Sequence, residues 1–422
     1  MLQAIKGMND ILPGEVALWQ TIEETARAIC EAYGYQEIRT PVLEKTELFA
    51  RGVGESTDIV EKEMYSFVDR GGDNLSLRPE GTAGVVRALI EHKMHAADPE
   101  VRVYYIGPMY RRERPQKGRY RQFHQIGVEA FGIAAPEVDA ELMAMLYQFL
   151  REIGLPDVVL DVNTLGDQSD RPRYLEALRA HFEQHRSELC EDCLRRIERA
   201  PLRLLDCKSE RCHAVALAAP LVLDHLGPAS REHFDGVRRA LDRLQVPHRV
   251  NPRVVRGLDY YTRTVFEAVS TGLGSQNAIC GGGRYDNLVE QLGGPALPAI
   301  GYAQGIERLV MLVADKLALR APTAVALVPV ASEQRAQALE IAALLRGRRI
   351  RCILDLAGRS VKAQLRRANR ANAAFAVVLG EEEIRRGQVE IKPLVEGESA
   401  EQVAIASLVD RLTARCAERA AG

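Results

Sequence analysis

The 422-residue chain has no apolar run near the roughly 18 residues a membrane-spanning helix needs, so no span is expected. Its opening, MLQAIKGMNDILPGE, lacks a charged head followed by an apolar core, and a secretory signal is not expected. Cysteine is scarce. Eight residues, about 2% of the chain, are too few for a disulfide scaffold of this length and predict a reduced, cytoplasmic compartment. Net charge is almost absent too, with 56 Lys and Arg against 58 Asp and Glu, a formal −2. That balance excludes a histone-like binder but not local charged patches, which set the surface field. Metalloprotease helix, serine-nucleophile elbow, dinucleotide fingerprint and P-loop are all missing.

What is present is globular: 46% hydrophobic and 27% charged, with a length suggesting two or three domains at roughly 150 residues each. Trp19, Ile22, Ala26, Ile29 and Tyr33 recur at helical steps and predict a helix over 15–33, stopped by Gly34. The stretch 35–49 reads as extended, and Pro41 marks it as an edge or interface strand. Residues 101–110 and 121–131 predict a long antiparallel hairpin around a mobile arginine-rich loop, and a helix follows Pro136. Between about 168 and 250 the sequence turns helix-rich and charged, as an inserted module would. Strand-like, Gly-rich sequence resumes at 254–294, and 299–313 reads as strand, Gly turn and helix. After a linker at 315–323, alternating strands (324–330, 350–355, 374–379, 388–394) and helices (332–346, 360–371, 402–418) predict an α/β domain with a partly parallel sheet. The domains expected are therefore 1–322, with its insertion, and 323–422.

Chemistry concentrates in a few segments. From Arg111 to Arg121 six basic residues face one acid, Glu113, a local +5. Where the loop meets apolar strands, guanidiniums are held, and held guanidiniums suit phosphate; a solvated hairpin tip is the bland alternative. RGLDYYTRTVFE (256–267) reads either as a buried Arg256–Asp259 pair with aromatic packing or as a guanidinium and a phenol on a pocket floor. In CGGGRYDNLVEQLGG (280–294), three glycines read as a turn that lets backbone approach a ligand. LRPEGTAG (77–84) places Glu80 and Thr82 where a helix opens, as a capping cluster or as a binder of an ammonium group. Arg308 lies on the helix after 305. Cys190, Cys193, Cys207 and Cys212 have spacing compatible with zinc, or with simple packing in a small helical module, and His213 does not decide between them. Nine basic residues against Asp355 between Arg346 and Arg370, a local +8, favour a polyanion partner.

Together these segments, with KGMNDILPGE (6–15), AIGYAQGIERL (299–309) and GRSVKAQLRRANRANAAFAVVLGEEE (358–383), resemble the bacterial histidyl-tRNA synthetases in order and spacing. The resemblance spans nearly the whole chain and is weakest over about 168–250, where that family carries a variable insertion. It implies an α/β fold of α+β type: a class II synthetase antiparallel sheet flanked by helices, a helical insertion, and an anticodon-binding α/β domain. The helix at 15–33 and the Pro41 strand correspond to the first class motif, part of a homodimer interface in that family. The arginine-rich hairpin corresponds to the second and Gly301–Leu309 to the third.

By the same resemblance, Arg111 contacts the ATP α-phosphate, Arg308 clamps the bent ATP, and Arg256 bridges the histidine carboxylate and the α-phosphate as a catalytic arginine. Glu80, Thr82 and Gln125 surround the substrate amino group, Glu129 and Tyr261 read the imidazole nitrogens, and Tyr260 and Arg119 line the site. Implied substrates are L-histidine, ATP with Mg2+, and tRNA(His); no protein-bound metal takes part, and no membrane. The alternative is the non-charging paralogue that acts as a regulatory subunit of ATP phosphoribosyltransferase. That paralogue lacks the anticodon domain and has degraded motifs, whereas the C-terminal segment, Arg111, Arg256 and Arg308 are all present here.

Overall fold

The computed structural model describes residues 2–54, 57–116, 118–207, 209–255, 258–270, 278–317, 323–395 and 399–421. The chain divides into two compact units, Met1–Leu317 and Ala318–Gly422. No described helix is long and apolar enough to cross a membrane.

The first unit contains strands β1 (Gln36–Glu37), β2 (Leu43–Lys45), β3 (Tyr65–Val68), β4 (Asn74–Leu77), β5 (Arg102–Tyr110) and β6 (Gln122–Phe131). It continues with β7 (Val158–Thr164), β8 (His248–Val250), β9 (Thr262–Ser270), β10 (Ala278–Arg284) and β11 (Ala299–Gly305). Eight of these form one sheet in the order β1-β5-β6-β11-β10-β9-β7-β8, and β2-β4-β3 form a small second sheet. All neighbours in the large sheet are antiparallel except the edge pairs β1–β5 and β7–β8.

Strand alternation sorts side chains to two faces. Ile126, Val128, Val162 and Phe266 join Trp19 and Ile22 of the helix Val16–Ala32, and Leu142 and Phe149 of the helix Pro136–Glu152, in the larger core. On the opposite face Tyr105, Phe131, Tyr260, Val265 and Tyr285 pack with Val85 and Leu89 of the helix Thr82–Glu91. The candidate site belongs to this second face.

The helices expected at 15–33 and after Pro136, the hairpin, and the strand-turn-helix at 299–313 are found. Three expectations need correction. Residues 46–53 are helical rather than extended: Phe49 and Val53, four residues apart, are fully buried on one face, and Gly54 ends the helix at φ +106. Gly281–Gly283 lie inside β10 rather than in a turn. A Cβ at Gly282 would sit 2.3 Å from the Gly301 carbonyl oxygen and 2.8 Å from Phe266, so close strand and ring packing requires the missing side chain. The helical segment is also not one module. Tyr174 to Val222 share a separate small core, whereas Phe234, Val237 and Leu241 of the helix Pro228–Arg243 join the main core and β8 completes the sheet. A buried ion-pair network holds that helix in place: Arg284 donates to Asp139 (2.8 Å), and His233 Nε2 lies 2.9 Å from the same carboxylate.

In the second unit, β12 (Ala324–Pro329), β13 (Arg351–Leu354), β14 (Ala373–Leu379), β15 (Gln388–Pro393) and β16 (Glu401–Ala404) form a sheet in the order β13-β12-β14-β15-β16. The first two pairings are parallel and the last two antiparallel. The helix Glu381–Arg386 and β16 depart from expectation. Residues 401–404 alternate in exposure and pair with β15 instead of starting the last helix, which runs Leu408–Ala421.

Candidate active site

A cavity of about 700 Å³ opens on the hairpin, β10, β11 and the helix Ile306–Val313; Arg111, Arg119, Gln125 and Arg308 line it. The hairpin loop is fastened rather than splayed. Arg111 and Arg121 bond through their backbones, and the Arg112 and Arg121 amides reach Glu63 and Gly7. Arg111 Nε donates to the Pro79 carbonyl (2.9 Å), and its guanidinium lies 5.2 Å from the centre of the Phe123 ring. Burial lowers its pKa while Glu63, Glu113 and Glu80 act the other way. Arg119 pairs with Glu113 at 3.4 Å. Arg308 donates to the Ala278 carbonyl, and its pKa is lowered by burial first and by the neighbouring Arg119 cation second. Two guanidiniums that repel each other on one cavity wall are relieved by a bound anion.

Behind this wall lies a buried polar cluster. Glu129, on β6, accepts from the Thr82 hydroxyl (2.7 Å) and the Tyr285 hydroxyl (2.5 Å). Burial pushes its carboxyl up to about 8, against those two hydrogen bonds and with the Glu80 charge adding to the rise. Gly301 stands directly opposite on β11, and a Cβ there would sit 1.7 Å from Glu129 Oε2. Glu80 accepts the backbone N–H groups of Thr82 and Ala83 (both 2.8 Å), so it caps the helix that begins there. A carboxylate has about four acceptor positions, more than these two backbone bonds use. Burial raises the pKa of Tyr260 well above 10, and the nearby Tyr261, Glu80 and Glu129 add to it. The Gln125 carbonyl oxygen is buried with no hydrogen-bond partner among the described residues.

Of the residues singled out from sequence, Glu80, Thr82, Glu129 and Tyr260 thus form one buried cluster, and Gln125, Arg111, Arg119 and Arg308 line the adjoining cavity. Tyr261 is buried beside Tyr260, ring centres 4.7 Å apart, and its ring closes on Gly283. Arg256 lies outside the described residues. The alternative that pairs it with Asp259 therefore lies outside the described residues as well; Asp259 itself bonds Arg203 at 3.2 Å. Tyr285 was the residue missed. It sits in the quoted segment 280–294, but nothing local marks a hydroxyl that meets a carboxylate 156 positions away.

A buried, hydroxyl-flanked carboxylate close to an arginine-walled cavity, on the face of an antiparallel sheet, defines a class II synthetase-type core, and a separate α/β unit follows it in the chain. A family model described as Histidyl-tRNA synthetase matches residues 7–309, and one described as Anticodon binding domain matches 324–415. Histidine–tRNA ligases from Syntrophotalea carbinolica and Anaeromyxobacter dehalogenans are 49% and 51% identical, over 97% and 98% of this chain and 98% and 99% of theirs. The apo histidyl-tRNA synthetase of S. aureus superposes with a TM-score of 0.83 at 36% identity, covering 98% of this chain and 100% of that one. The chain belongs to the histidyl-tRNA synthetase family.

Proposed function

We propose that this chain ligates L-histidine to tRNA(His), first forming histidyl-adenylate from histidine and ATP and then transferring the histidyl group to the tRNA 3′ end. Membership of the family over nearly the full length supports the activity. The observation that carries the site assignment is the adjacency of a buried, hydroxyl-flanked carboxylate to an arginine-lined cavity. The regulatory-subunit alternative draws no support from any of these features.

A free α-carboxyl, with a pKa of about 3.3–3.7, is already ionised, so activation needs no general base. It needs two anions aligned and the charge on the α-phosphoryl oxygens stabilised. Arg111, locked by Pro79 and Phe123, suits the α-phosphate, and Arg119 and Arg308 suit the remaining phosphates. Arg256 keeps the role its motif implies, bridging the carboxylate and the α-phosphate. Glu129 accepts from an imidazole N–H; Tyr261 donates to the other ring nitrogen, with Thr82 and Tyr285 orienting the carboxylate. Glu80, Gln125 and Tyr260 face the substrate amino end: the buried, unpartnered Gln125 oxygen offers an acceptor there. Mg2+ would accompany the ATP phosphates as part of the substrate, and the Glu267 carboxylate on the cavity wall would be a hard oxygen donor within reach of that site.

Residues 1–322 act as the catalytic core with its helical insertion, 323–422 as the anticodon-binding domain, and the chain works as a cytoplasmic homodimer. The test is amino-acid-dependent ATP–pyrophosphate exchange over a panel of histidine, threonine and proline. Exchange with histidine alone is expected; exchange with another amino acid, or with none, removes the assignment.

A further inference from the structure

Four cysteines have no part in the chemistry above. Cys190 precedes the helix Glu191–Arg199, Cys193 lies in its first turn, Cys207 follows the short helix Pro201–Leu204, and Cys212 lies in the helix Glu210–Leu217. Their sulfur atoms nevertheless converge: all four lie within 4.8 Å of one another, and Cys190 and Cys207 are 3.9 Å apart. A tetrahedral ion with Zn–S bonds of about 2.3 Å sets its ligand sulfurs about 3.8 Å apart. A disulfide brings two sulfurs to about 2.05 Å and leaves the others out; none of the eight cysteines here forms one. Apolar packing does not account for the arrangement either, because it gains nothing from aiming four sulfurs at one point. The Cys190 backbone N–H also donates to Cys212 Sγ (3.1 Å), a contact that favours an anionic sulfur.

We propose that Cys190, Cys193, Cys207 and Cys212 bind one zinc ion as a closed, structural tetrathiolate site. Four sulfur ligands fill the tetrahedron and leave no open position for substrate. An iron–sulfur cluster needs its cysteines spread around several metal atoms, whereas these surround a single point.

The ion has mechanical work to do here. The module around it holds only a small core of its own, the setting in which a metal contributes most to folding. Cys190 and Cys207 stand on the wall of the cavity that Arg111 and Arg308 line. From the same module Arg196 reaches Asp58 (3.0 Å) and Arg203 reaches Asp259 (3.2 Å), both in the catalytic unit. Zinc therefore fixes the turns that carry two ion pairs out of the module, one of them, Arg196–Asp58, on the cavity wall, and its loss loosens that wall.

The full-length chain, purified under reducing conditions, is analysed for metals as isolated and after incubation with Zn2+ and removal of excess. One zinc per chain is expected, released in step with mercurial titration of the thiols. Co2+ replacement should give the intense visible bands of a tetrahedral thiolate complex. Cys207→Ser should lose stoichiometric zinc, and Cys352→Ser, in the other unit, should keep it. The wild-type measurements decide the matter even should Cys207→Ser fail to fold. Sub-stoichiometric zinc after reconstitution, stoichiometric iron instead, Co2+ bound without thiolate bands, or disulfides among these four cysteines overturns the proposal.

Discussion

Arginine is concentrated twice in this chain, and the two regions treat it in opposite ways. In the hairpin loop and the facing helix, Arg111, Arg119 and Arg308 are partly buried, and each is held by a carbonyl or a carboxylate. Between 346 and 370 all nine basic residues are exposed. Their contacts lie at the surface: Asp355 takes Arg359 at 2.8 Å and Arg367 at 3.8 Å, Asp410 takes Arg348, and Arg346 and Arg366 donate to the Cys352 and Lys362 carbonyls. Similar local charge thus yields two instruments. A fixed guanidinium presents its donors at one point in space and suits a single reacting phosphorus. A solvated array matches the repeated charges of a nucleic-acid backbone and tolerates its variation in shape.

The sharpest way to break this contrast is Arg111→Ala, expected to lower ATP–pyrophosphate exchange roughly 10²–10³-fold, as for loss of one charge-stabilising donor. Arg111→Lys should stay close to the alanine variant, because a point charge does not replace a planar fork. Wild-type rates in either would mean that the hairpin arginine is as loosely used as those of the second unit. Next in size is Glu129→Gln, expected to cost about 10²-fold in kcat/KM for histidine while the KM for ATP holds.

The same substitution carries a stability signature. A carboxyl raised from about 4.5 to about 8 keeps its proton in the folded state while the unfolded chain loses it, so stability falls as pH rises through that window. Above pH 8 the full cost of a buried charge is present. Glu129→Gln should therefore melt higher than wild type at pH 9 and differ little at pH 4. Unchanged melting at both pH values would show that burial does not strain this carboxyl.

A smaller effect is expected in the second unit. Neutralising Lys362, Arg366 and Arg370 together should raise the KM for tRNA about tenfold and flatten its dependence on salt, leaving exchange unchanged. Equal loss of exchange would erase the division of labour. Smallest is the proton count: histidine binding near pH 7 should release a fraction of a proton as Glu129 ionises against the ring N–H. Calorimetry in buffers of different ionisation heats reads this directly; no buffer dependence would contradict it.

Regular, local signals were the legible part of the fold. The helix Val16–Ala32 announces itself by Trp19, Ile22, Ala26 and Ile29, and the hairpin ends within a residue of expectation on both strands. The helix Thr46–Val53 was hidden because Pro41 and the strand-like residues before it dominate a short window. The triple glycine misled for the opposite reason: its cause is the crowding of Gly301, Tyr302 and Phe266 across the sheet, contacts no local rule contains. At the site, residue types and motif order identified most of the cluster, but not the bond between Tyr285 and Glu129, which exists only once β6 and β10 flank β11. Of the two readings of Glu80, the capping one is seen directly, in its bonds to the Thr82 and Ala83 amides.

Gly301 makes the placing of the Glu129 carboxylate depend on an atom that is not there. The Glu129 carboxylate lies over the spot its neighbour's first side-chain carbon would claim. That carboxylate can therefore be displaced without altering a single charge, by the addition of one methyl group in an otherwise sound strand, and on the proposed reading of Glu129 discrimination would go with it. On that reading, a larger side chain at 301 becomes admissible only together with a shorter one at 129.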